Sequence, residues 1–119
     1  MPNQRRNTRF ALTPPLALDV LGNVPPPVPA QLVNMSNSGT AILADVLLGD
    51  PGVILVINLP DPTRSERTPV PCELRWALAE KDTLLPRWLH GARFSVSDAR
   101  SRRLIGRLIQ NARRAAVGA

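Results

Sequence analysis

Apolar and polar residues alternate with a period of two along much of this chain, and the period lengthens to 3.6 only near the C-terminus. The cleanest stretch sets Val70, Cys72, Leu74, Trp76 and Leu78 against Pro71, Glu73, Arg75, Ala77 and Ala79. It predicts a strand with the first set turned inward, which makes Cys72 a core thiol and places Trp76 in the core. Leu16, Leu18 and Val20 alternate with Ala17, Asp19 and Leu21 and predict a first strand after the Thr13-Pro14-Pro15 break. Ala30 to Val33 and Thr40 to Ala44 predict two further strands, separated by a polar turn. Val53 to Ile57 is apolar at every position, the pattern of a central strand covered on both faces. Ala92, Phe94 and Val96 alternate with Gly91, Arg93 and Ser95 in a last strand, and His90 precedes it as a surface residue.

Beyond Ser97, an N-cap candidate with Asp98 beside it, the pattern turns helical. Leu104, Ile105, Leu108, Ile109, Ala112 and Ala116 make one apolar stripe, with Arg103, Arg107 and Arg114 on the other side. Gly106 weakens this helix and is read as a position of close packing. A basic amphipathic helix can be a lid on a sheet, a nucleic-acid helix or a membrane-surface helix; a short barrel with an open end favours the lid.

The 119 residues are enough for one domain with its own core. Aromatic residues make up only 3%, so that core is aliphatic, and thirteen prolines argue against a mainly helical chain. Gly22 to Pro29 reads as a stiff proline-rich loop and Pro60 to Pro69 as a charged one. One cysteine excludes an intrachain disulfide, and with one histidine there is no zinc-ligand set. No secretory signal and no membrane-length apolar run is present, so a cytoplasmic location is expected. The net charge of +6 divides into +3 over residues 1–10, −3 over 11–99 and +6 over 100–119. Fourteen of the fifteen basic residues are arginine, whose planar fork suits phosphate and guanine, so an anionic partner is indicated. The expected organisation is a flexible basic arm over 1–10, a β-barrel over 11–97 and a helix over 98–116.

Nothing in the pattern groups a nucleophile with a base, and neither a P-loop nor a GxGxxG turn occurs, so no catalytic residue and no enzyme activity is expected. Two short polar stretches remain. Arg5-Arg6-Asn7-Thr8-Arg9 precedes the first strand, where its plain reading is a solvated basic arm. Asn34-Met35-Ser36-Asn37-Ser38-Gly39 lies between the second and third, where its plain reading is an inter-strand turn. Together their chemistry fits a guanine nucleotide. Arginine donates two parallel hydrogen bonds to guanine O6 and N7 or to a phosphate, asparagine accepts from the guanine N1–H or N2 amine, and serine reaches a phosphate or exocyclic group.

These two stretches, in this order, resemble the RxxxR and [D/N]xSxxG motifs of the PilZ domain family, receptors for the bacterial second messenger cyclic di-GMP. Glu73-Leu74-Arg75-Trp76 and Gly91-Ala92-Arg93-Phe94 resemble the family's late strands, and the resemblance runs from about Arg5 to Gln110. It implies a mainly β fold, a six-stranded antiparallel barrel with a C-terminal helix that binds cyclic di-GMP, and no catalysis; no metal and no cofactor are expected. It implies that Arg5 and Arg9 grip guanine and phosphate, that Asn34 and Ser36 read the other guanine edge, and that Gly39 holds the turn. Arg6 is a second-tier candidate, and Trp76 offers a stacking surface if it is not in the core. Asn34 stands where aspartate is commoner, Phe10 follows the arginines where a smaller aliphatic is usual, and Gly22 to Pro29 is richer in proline than the family pattern.

The mechanism so implied is ordering of the arm over the barrel when its arginines engage the nucleotide, creating a surface for a downstream protein; no DNA partner and no membrane span are expected. Two rivals are a PilZ-like adaptor that works by protein contact without the nucleotide, and a small nucleic-acid-binding barrel.

Overall fold

Six antiparallel strands close into a barrel in this computed structural model, which describes residues 8–22, 25–81, 84–96 and 98–118, the side chains of 116–118 excepted. The strands are β1 (Phe10–Leu21), β2 (Val28–Met35), β3 (Gly39–Ala44), β4 (Ile54–Pro60), β5 (Arg67–Glu80) and β6 (Arg87–Phe94), and the helix α1 (Ala99–Gly118) follows. Around the barrel they run β1-β2-β3-β6-β5-β4, all neighbours antiparallel, and β1 pairs with β4 to close it. Closure removes free sheet edges except along the β1–β4 seam, which pairs at only two positions.

Inward positions are aliphatic, as the composition requires. Leu32, Ile42, Ile57 and Leu59 have no exposed surface at all, and each such side chain contributes about 1.5–3 kcal/mol of burial free energy. Cys72 is among them, inward as expected, and burial pushes its thiol pKa up to about 12. β4 differs from the reading as a two-sided core strand. Leu55, Ile57 and Leu59 are buried while Ile54 is half exposed, because a closed barrel offers each strand one interior face. β1 also differs, running through Thr13-Pro14-Pro15 from Phe10. Its register on β2 jumps between Ala11 and Leu16, so the prolines sit in an irregular stretch where no ladder donor is required of them.

His90 is a further correction. It is fully buried: Nε2 accepts from the Leu48 backbone N–H (3.0 Å), and Nδ1 lies 3.1 Å from the Ile42 carbonyl oxygen. That pair of contacts requires the neutral ring with its proton on Nδ1, and burial lowers the histidine pKa.

α1 is the expected lid. Leu104, Ile105, Leu108 and Ile109 join the barrel core, and Arg103 and Arg114 face outward. The paired part of the β1–β4 seam is only Val20 with Ile57 and Leu21 with Val56. Leu12 and Leu16 of β1, Pro60 at the end of β4, and Leu108 and Ala112 of α1 line one apolar cavity beside that unpaired stretch. The helix thus covers the barrel where its closing strands separate. Its cap is Asp98, whose Oδ2 accepts from the Ser101 backbone N–H at 2.9 Å. That hydrogen bond holds the Asp98 carboxyl below its ordinary pKa, and Ser97 lies outside the described residues. A methyl group on Gly106 would meet nothing, so this glycine serves no close contact.

Candidate functional site

Three of the strand pairings carry irregularities, and two of them build the site. Leu32 faces Ile42 while Asn34 faces Ala41, so Val33 is an extra residue in β2. Leu74 faces Ala92 while Trp76 faces Gly91, so Arg75 is an extra residue in β5. A one-residue bulge reverses which face the following side chains occupy. Trp76 and Leu78 are therefore not core residues, as unbroken alternation would make them; they are 40% and 62% exposed. The Trp76 indole lies across Gly91, where a side chain of any size would collide with the ring.

Beside it lies the polar turn. Ser36, 1% exposed, accepts from the backbone N–H groups of Ser38 and Gly39, both at 3.2 Å, and its own N–H donates to the Gly39 carbonyl at 2.8 Å. The hydroxyl is thus engaged in closing the turn. Gly39 does not have positive φ; it is required because β3 passes so close to β6 that a methyl group would collide with the Ala92 carbonyl oxygen. Thr40 donates from Oγ1 to the Asn34 carbonyl at 2.6 Å, fixing the strand end that carries Asn34.

The two sequence motifs meet here. Arg9 donates from Nη1 to Asn34 Oδ1 at 3.0 Å across 25 residues of sequence, and Phe10 and Ala11 continue into β1 opposite Met35 and Asn34. Arg113 of α1 lies over the Phe10 ring, 5.7 Å from its centroid, so the base of the arm also touches the helix. Arg5 and Arg6 lie outside the described residues.

Arg9, Gly39, Arg75, Trp76, Gly91 and Arg93 line an open concavity of about 320 Å³. Arg75 is 3.6 Å from Glu73, and Arg9 and Arg93 are exposed. Three guanidiniums around an indole face can take a flat heteroaromatic ring by stacking and an anionic group by paired N–H donors. Sequence reasoning missed Arg93 and gave Arg75 no role. Arg93 was open to detection as the outward residue between Ala92 and Phe94, whereas the position of Arg75 depends on a bulge that alternation conceals.

The PilZ domain family model matches residues 3–111. The chain belongs to the PilZ family. Its fold is similar to the PilZ domain with cyclic di-GMP of YcgR from Escherichia coli, with a TM-score of 0.74 at 16% identity, over 96% of this chain and 95% of that one. It is also similar to MotI/DgrA, the Bacillus subtilis inhibitor of motility, with a TM-score of 0.65 at 19% identity, over 92% of this chain and 52% of that one. No curated protein matches by sequence. PilZ domains form a family of cyclic di-GMP receptors and adaptors, and the barrel with its C-terminal helix is the PilZ architecture. No helix among the described residues is long and apolar enough to cross a membrane.

Proposed function

We propose that this PilZ domain is a cyclic di-GMP receptor that passes its ligand state to a partner protein. The observation that carries the reading is the Arg9–Asn34 hydrogen bond at the rim of the concavity lined by Arg75, Trp76 and Arg93. Arg9 uses one of its five N–H donors on Asn34 and keeps the rest for a nucleotide. Arg5, four residues earlier in the motif, adds a second fork, with Arg6 in reserve. Guanine stacks on the outward indole of Trp76, Asn34 accepts from the guanine edge, and the arginines hold the phosphates. Ser36 and Gly39 act by shape: the serine closes the turn and the glycine lets β3 and β6 approach, so both are needed for a site whose ligand contacts are made by their neighbours.

The arm closes over the nucleotide as its arginines engage, and the partner reads the closed arm. The fold similarity to YcgR, whose PilZ domain was solved with cyclic di-GMP, supports the choice of nucleotide. No step in this account makes or breaks a covalent bond.

Calorimetric titration with cyclic di-GMP, with GTP as control, tests the reading. Binding at micromolar affinity or tighter is expected, with Arg9→Ala weakening it by about tenfold or more, the loss of one charge-assisted contact. Arg5→Ala/Arg9→Ala should abolish it. Absence of heat and of any thermal shift with the native chain would overturn the receptor reading and favour the ligand-independent adaptor.

A further inference from the structure

A second arginine cluster lies away from the nucleotide concavity and shares no lining residue with it. Arg64, from the loop between β4 and β5, and Arg100, Arg103 and Arg107 of α1 line a cleft of about 290 Å³ over the buried side chain of Leu104. The three helical arginines follow one another at spacings of three and four, so they lie along one side of α1.

The loop is fixed before any ligand arrives. Asp61 Oδ1 accepts from the Thr63 backbone N–H (2.9 Å), from Thr63 Oγ1 (2.8 Å) and from Arg107 Nη1 (2.9 Å). The Thr63 hydrogen bonds, with the Arg107 charge beside them, hold the Asp61 carboxyl below its ordinary pKa, so it stays ionised. Asp61 therefore neutralises Arg107 and tethers the loop to the helix. Arg64 and Arg103 have no carboxylate partner among the described residues, and Arg100 has the charge of Asp98 nearby. Like charges held together around a concavity without their counter-ions favour an anion there.

We propose that this cleft docks an acidic segment of a partner protein, whose carboxylates are taken by Arg64, Arg100 and Arg103 in the paired geometry that guanidinium favours. A nucleic-acid backbone fits less well. No aromatic ring lines the cleft to stack a base. The apolar Leu104 floor and the prefixed loop suit a peptide, for which preorganisation lowers the ordering penalty of binding.

The test uses the full chain and a fluorescent glutamate-rich peptide as probe, with inorganic phosphate and a single-stranded oligonucleotide as separate competitors. Peptide binding should weaken by about tenfold or more in Arg64→Ala/Arg103→Ala, and by less than about twofold in Arg102→Ala/Arg114→Ala, which removes equal charge outside the cleft. Melting temperature and cyclic di-GMP affinity of both variants should match the parent, which separates this site from the nucleotide site. Equal weakening in the two variants, no peptide binding, or stronger binding of the oligonucleotide or of phosphate than of the peptide would each overturn the assignment.

Discussion

Gly39 and Gly106 have opposite roles. Gly39 abuts the Ala92 carbonyl, while Gly106 sits on the open side of α1. Gly39→Ala must push β3 from β6, at about 1–3 kcal/mol. Gly106→Ala removes backbone freedom from an exposed helix interior and should stabilise by about 1 kcal/mol. Denaturant unfolding of the two variants should therefore move the midpoint in opposite directions. His90 supplies a pH signature. Its pKa is lowered in the folded state by burial, with partial opposition from hydrogen bonds to the backbone at Ile42 and Trp88. The unfolded chain therefore binds a proton that the folded one refuses. Stability is full above the ordinary histidine pKa of about 6.5 and falls as pH drops from there toward the lowered folded value. Thermal melts between about pH 7 and 5 should show this loss in the native chain and not in His90→Gln. Neither the collision at Gly39 nor the burial of His90 is visible in sequence, because each is set by a strand distant along the chain.

The single extra residues Val33 and Arg75 in β2 and β5 decide where the site lies. Alternation foretold both strands, and it correctly assigned Val70, Cys72 and Leu74 to the interior. Beyond Leu74 the same alternation misplaced Trp76, since the polar and apolar residues after a bulge keep their order in sequence while changing face in space. Deleting Arg75 should turn the indole inward and remove the exposed stacking face. The expected result is a blue shift of tryptophan emission with loss of cyclic di-GMP binding; unchanged emission would show that the bulge does not set the orientation of Trp76. In α1, the apolar stripe from Leu104 to Ala112 was read correctly, and Asp98 caps the helix by accepting from the Ser101 N–H.

Closure of the barrel concentrates weakness in one seam. β1 and β4 share two residue pairs, whereas β4 and β5 share seven, and the helix covers the remainder. Amides that donate across the two-pair β1–β4 seam should exchange with solvent faster than those that donate across the seven-pair β4–β5 ladder. Removing residues 99–119 should raise exchange throughout the barrel, because Leu104, Ile105, Leu108 and Ile109 belong to its core. Slow exchange at the seam would mean that the helix, not the strand pairing, is the weaker closure.

Period-two and period-3.6 patterning determined by themselves that the chain makes strands and then one amphipathic helix, since those periods are properties of the backbone. The two polar motifs likewise carried their chemistry and their family resemblance in local residue order. Only the tertiary structure decided that Arg9 reaches Asn34, that Trp76 faces outward beside Arg75 and Arg93, and that His90 is buried. Those outcomes depend on bulges and on strand neighbours remote in sequence, and a one-residue change of register reverses a face without altering the local pattern that predicts the strand.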